Sequence, residues 1–187
     1  MLPPAAAFKE RARRMPIDIK PHAYDPALAP ELFDGVLSRR VVAFVIDFIV
    51  IAIPVLLAAM FIFAFGIITL GLGFALYWLL PAATVIWTLF YFGATLASPA
   101  SATLGMRVMD LEMRTWYGAP AYFVLGAVHA IGFWLTVSFF TPFVLLVAFF
   151  NERHRLLHDI LLGTVVINNA QRAASLRGTP FGAYNGL

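Results

Sequence analysis

The sequence predicts an all-α membrane protein of about three transmembrane helices, with four as the alternative, and a short interfacial strand or hairpin in the loop after the second span. Three observations point there. The 187 residues are 61% hydrophobic and only 12% charged, with a mean hydropathy of +0.85, well outside the composition of soluble domains. No Asp, Glu, Lys or Arg occurs between Asp47 and Arg107, nor between Arg114 and Glu152, and about 20 apolar helical residues suffice to cross a hydrocarbon core. Within these stretches the apolar residues run continuously, whereas a membrane barrel needs lipid-facing and lumen-facing residues to alternate.

The elements follow in order. Residues 1–35 form a polar, Pro-rich N-terminal tail with six of the twelve prolines, which cannot build a packed core and ends in the amphipathic stretch "APELFDGVLSRR". The first span is about 41–65, and "GIITLGLG" is a connector short enough to require a tight helical hairpin. The second span is about 74–97, with Tyr77, Trp78 and Tyr91 placed as interfacial aromatics. Pro54 and Pro81 lie inside these spans and are expected to bend them. From Val108 to Arg114 polar and apolar residues alternate, which predicts a strand or hairpin at the interface.

The thirty uncharged residues 121–150 exceed one upright helix and fall short of two full spans. A tilted crossing at about 125–150, entered near His129 and kinked at Pro142, is the simplest solution. An amphipathic stretch to about Ile167 closes the domain 36–167, and residues 168–187 are expected to be a disordered tail. Three spans place nine Lys and Arg with the N-terminal tail and middle loop and four with the C-terminal tail, which predicts a cytoplasmic N-terminus in the cell (inner) membrane. Two crossings, or one crossing and a re-entrant piece, within residues 121–167 would instead bring all thirteen to one side.

The absence of cysteine excludes disulfides, thiolate metal sites and cysteine nucleophiles. A net charge of +3, without a dense aromatic-basic pattern, argues against a nucleic-acid partner and for anionic lipid headgroups. Arg40, Ala43 and Asp47 are spaced by three and four, so they share one helix face, with Asp47 two turns (about 10 Å) deeper than Arg40. An ionised carboxylate facing lipid at that depth costs at least a few kcal/mol, so Asp47 must meet protein or water. Either it exchanges a proton or cation, or it is a structural clasp between helices. His154 and His158, spaced as on one helical face and followed by Asp159, have metal-ligand spacing. A basic juxtamembrane helix with Arg153 and Arg155 on headgroups is the preferred reading, and no metal or cofactor is expected.

Three blocks carry a family resemblance. "RRVVAFVID" resembles the Arg, Ala, Asp signature that opens the first span of RDD-family membrane proteins. "ATLGMRVMDLEM" is similar to their loop after the second span, and "RHRLLHDILLGTVVI" to their closing His-Asp, Gly-Thr motif. The resemblance maps the name-giving arginine and aspartates onto Arg40, Asp47 and Asp159, and further motif positions onto Thr103, Leu104, Gly105, Gly163 and Thr164. Met106, Asp110 and His129 depart from it, since the family commonly has a basic residue, a glycine and an arginine there. The resemblance implies a membrane protein with a transport role, with cation/proton exchange suggested for some members. The expected charge site is therefore Arg40, Asp47, Arg107 and Asp159, supported by Ala43, Thr103, Gly105, His129, His158, Gly163 and Thr164. The expected activity is non-enzymatic: exchange through Asp47, or a scaffold or accessory subunit held by the same charges. The expected partners are membrane lipids and a second copy or another membrane protein.

Overall fold

The computed structural model describes residues 23–140, 147, 150 and 152–178. Helix α1 (Val36–Ile68) follows a 3-10 turn at Pro30–Leu32 and a left-handed Gly35. Its 33 residues extend about 50 Å, more than a bilayer core requires. Val41, Phe48, Leu57 and Phe61 are among many large apolar side chains it leaves exposed. A water-soluble core helix would bury these, so the surface suits lipid. Pro54 sits inside α1 without ending it.

The chain turns at Thr69, whose hydroxyl donates to the Phe65 carbonyl (2.7 Å) and accepts from the Gly73 amide (2.7 Å). It returns through a 3-10 segment (Leu72–Trp78) and helix α2 (Leu80–Leu96), which meet at 45°. Pro81 therefore lies in the first turn of α2 rather than inside a continuous span, where its missing amide leaves no helical hydrogen bond unmade. Among the described residues, helix α1 alone is long and apolar enough to cross a membrane, and the bent pair qualifies together.

After α2 come a short helix α3 (Leu104–Val108), strand β1 (Leu111–Thr115) and helix α4 (Phe123–Phe140), which is apolar but shorter than a full span. Helices α2 and α4 cross where Gly126 packs on the Phe92 carbonyl and Phe123 packs on Gly93. Pro142 and most of the second half of the expected 125–150 crossing lie outside the described residues. Helix α5 (Leu157–Leu162), strand β2 (Thr164–Asn168) and helix α6 (Ala170–Gly178) complete the fold. Residues 170–178 are thus helical where a disordered tail was expected, with Asn169 Oδ1 accepting from the Arg172 amide at the start of α6 (2.9 Å).

Locally, among the described residues, strand β1 makes only an isolated antiparallel bridge, Arg114↔Pro120; its ladder partner is distant in sequence. Strand β1 pairs antiparallel with β2, in register Leu111↔Asn168, Met113↔Val166 and Thr115↔Thr164. All five residues of β2 are buried: Val166 packs with Val36, Leu111 and Met113, while Val165 and Ile167 pack on Phe33. That burial gives β2 the uninterrupted apolar run that reads from sequence as part of an amphipathic helix. The N-terminal end of α1 joins the same cap, since Asn168 Nδ2 donates to the Glu31 and Asp34 carbonyls (both 2.9 Å). The last part of the expected N-terminal tail, residues 23–35, is therefore structured; residues 1–22 lie outside the described residues.

The β1–β2 ladder brings the chain that leaves β1 back beside it at β2.

Gly105 of α3 lies against the backbone of Ala43 on α1, and a Cβ there would run into the Ala43 carbonyl. Gly105→Ala is expected to destabilise the protein by about 1–3 kcal/mol or more, because both contacting groups are main chain and cannot rotate away. Thermal unfolding in detergent checks this; an unchanged midpoint would show that α1 and α3 are not in contact.

Candidate functional site

The residues expected to form one charge site fall into two clusters along α1, with Arg107 apart from both. Arg40, Ala43 and Asp47 do share a face of α1, and that face looks into the protein. Asp47, 4% exposed, accepts three hydrogen bonds: from Tyr91 Oη (2.5 Å to Oδ1), Thr103 Oγ1 (2.6 Å to Oδ2) and the Gly105 amide (2.8 Å to Oδ1). Among the described residues no cation takes part. The three donors come from α2, the N-cap of α3 and α3 itself, so one carboxylate ties together three segments.

Local structure explains the convergence. Thr103 caps α3, accepting from the Met106 amide (3.1 Å), and this holds its hydroxyl beside the free amides of the first turn. Ala43 is the small residue that lets α3 come close enough for those amides to reach Asp47. Tyr91 was read from sequence as an interfacial aromatic; it is 5% exposed, and its oxygen also accepts from the Leu104 amide (3.2 Å). Its buried role could be suspected only from the need of its hydroxyl for a partner. Arg107 is turned away: it donates to the Ala102 carbonyl (3.1 Å) and Ser98 Oγ (2.7 Å).

The second cluster centres on Asp159, which is fully buried on α5. Its Oδ2 accepts from Arg40 (2.6 Å) and the Leu156 amide (3.0 Å), and its Oδ1 accepts from Thr164 Oγ1 (3.3 Å). His129 Nδ1 and His158 Nε2 lie 3.7 and 3.6 Å from Oδ1. Burial favours the protonated carboxyl, but the Arg40 guanidinium beside it, helped by the Leu156 amide, outweighs this and holds Asp159 well below the usual carboxylate range. His158 is driven the other way from an exposed imidazole. Burial lowers it, Asp159 partly opposes this, and His129 and Arg40 lower it further, to about 3. The ring is neutral at physiological pH.

Gly163 ends α5 with φ +64°, a left-handed turn that favours glycine and brings Thr164 back over Asp159. Arg155, expected on headgroups, is buried instead. It donates to the Thr164 and Asp159 carbonyls (2.7 and 2.6 Å), and its guanidinium stacks over Trp116 at 4.5 Å. His154 and His158 do not share a helical face. His154 precedes α5 with φ 48°, and its carbonyl accepts from Arg40 (3.2 Å). A further network not expected from sequence joins Arg39 to Asn168 (3.0 Å) and Asp110 (3.1 Å).

Both clusters border one cavity of about 350 Å³, whose walls include Arg40, Asp47, Thr103, His129, Phe133 and His158. Its lining is otherwise apolar, and Val41 and Trp134 on its rim are exposed. Among the described residues no hydrogen bond or ion pair joins Asp47 to Asp159; Asp47 lines the cavity directly, and Asp159 is represented there by Arg40, His129 and His158.

A family model described as the RDD family matches residues 35–163, well over half of the chain. The match spans both clusters and stops one residue before Thr164. No curated protein and no solved structure matches.

Arg40→Ala is expected to cost about 3–5 kcal/mol, because it leaves the buried Asp159 carboxylate without its counter-charge. The double variant with Asp159→Ala should lose less than the sum of the two single losses, as measured by unfolding in detergent micelles. Additive losses would show that the pair is not coupled.

Proposed function

Since the chain belongs to the RDD family, we propose that it is a multi-pass integral membrane protein with a transport-related, non-enzymatic role, exchanging a proton or small cation at Asp47. The supporting observation is the cavity, which has Asp47, Arg40, His129 and His158 in an otherwise apolar lining. Ionisable groups at such a place are expensive unless they serve a pathway or a partner. The Asp47 cradle also tolerates both protonation states. Tyr91 and Thr103 are hydroxyls, able to donate to the carboxylate or accept from the carboxylic acid, and only the Gly105 amide is an obligatory donor.

Every Lys and Arg of the chain precedes α1, lies in its first turns, or belongs to the segments that form the cap. With β1 and β2 paired on one side, this charge distribution favours a cytoplasmic cap, a cytoplasmic N-terminus and an even number of crossings between the strands. So few helices make a thin wall around the cavity, so a second copy or another membrane protein, with lipid around both, would complete it.

A second reading has its own support. Asp47 on α1 already holds three donors, one from α2 and two from the start of α3, which is what an interhelical lock in a scaffold or accessory subunit requires. The two readings part at Asp47→Asn, which keeps hydrogen bonding and removes titration. In reconstituted vesicles with an imposed pH gradient, the exchange reading expects cation-linked proton flux to fall at least tenfold in this variant while the unfolding midpoint stays near that of the parent. Flux equal to the parent's would rule out Asp47 as the exchanging group.

A further inference from the structure

His129, His158 and Asp159 pose a problem that the ion pair with Arg40 does not solve. His129 Nδ1 and His158 Nε2 are buried and, among the described residues, have no hydrogen-bond partner. Both are directed at Asp159 Oδ1, at 3.7 and 3.6 Å. These separations exceed the 2.7–3.2 Å of a hydrogen bond. Among the described residues Oδ1 itself accepts only the long contact from Thr164 (3.3 Å), because Arg40 and the Leu156 amide both use Oδ2.

The tautomer of His158 sharpens the problem. Thr136 Oγ1 lies 2.8 Å from the Gly132 carbonyl and 3.1 Å from the Phe133 carbonyl, so its only proton is donated within α4. Its oxygen can then only accept from His158 Nδ1, 3.3 Å away. With the proton on Nδ1, Nε2 presents a lone pair to a carboxylate oxygen. Lone pairs facing one another in a buried site repel unless something positive lies between them.

We propose that His129 Nδ1, His158 Nε2 and Asp159 Oδ1 form a binding site for a divalent first-row transition-metal ion. The three residues can place their ligand atoms within 4.8 Å of one another. Metal–ligand bonds of 2.0–2.2 Å in a tetrahedral arrangement put neighbouring ligand atoms roughly 3.4 Å apart, close to the spacing of both histidines from Oδ1. Two imidazoles and one carboxylate suit zinc, cobalt, iron or manganese, and are a poor set for calcium or magnesium, which take oxygen ligands. The Thr136 contact fills the usual supporting role, fixing the far nitrogen of a ligating histidine so that the near one points at the metal. Arg40 on the far carboxylate oxygen orients Asp159, but it also repels a dication, so the site is weaker than its three ligands alone would make it. The cavity that borders His129 and His158 provides an entry path and room for a fourth ligand such as water.

This site does not depend on exchange at Asp47, and its test reads binding, not flux. Tag-free full-length protein in detergent, stripped with chelator and desalted, is titrated with Co²⁺ and then with competing Zn²⁺. The expected result is one Co²⁺ per chain with visible absorption bands of low-coordinate cobalt, bleached by Zn²⁺. His129→Asn and His158→Asn should each weaken binding at least tenfold, and His154→Ala should bind like the parent, since its side chain lies outside the cluster. If the parent protein gives no such bands, or if His129→Asn and His158→Asn bind as it does, the site does not exist. The parent titration alone is decisive if a variant fails to fold.

Discussion

The Arg40–Asp159 ion pair is the constraint on which the rest of the architecture rests. Asp159 is fully buried and its carboxyl is held in the charged form, so it must find a cation and further donors within the fold. Arg40 reaches it from the first turns of α1, 119 residues earlier in the chain. That single contact brings the two ends of the helical region together. It also sets the height of α5 along α1, and through the short turn at Gly163 it places β2 where β1 can pair with it. Arg155, donating to the carbonyls on either side of that turn, closes the same corner from the other side.

The two buried acids are solved in different ways, and the difference bears on what each can do. Asp159 is balanced by a guanidinium that cannot lose its proton, so its charge is permanent. Among the described residues Asp47 has no cation beside it and is satisfied by two hydroxyls and an amide. A permanent charge suits an anchor or a ligand; a charge that hydroxyls accommodate either way suits exchange. Asp47 and Arg40, the partner of Asp159, line the same cavity.

The cap explains why a short, mostly apolar chain carries a strand pair at all. Two strands alone are marginal in water. Here β2 is buried on both faces, Phe33 beneath one and Val36 beneath the other, and its ladder and Asn168 satisfy backbone groups that the apolar helices cannot. The polar network of Arg39, Asp110 and Asn168 lies at the edge of this cap, where the helices leave it.

Much of this was legible in the sequence. Continuous uncharged runs set the helical class, since a bilayer-sized apolar segment satisfies its backbone only as a helix. The spacing of Arg40, Ala43 and Asp47 placed them on one inward face, because helical periodicity is local. The alternation around Glu112 announced a strand. Tertiary contact decided the rest. Which residues reach Asp47 depended on Tyr91 and a capped turn 44 to 58 residues away. The partner of β1 lay beyond α4, and its doubly buried strand has no alternation to betray it. The metal-like spacing of His154 and His158 dissolved because α5 starts only at Leu157, while His129, on another helix, met His158 and Asp159 in space. Periodicity along one element is written in consecutive residues; the meeting of distant elements follows from which buried charges and strand edges must be satisfied, and only the folded chain resolves that.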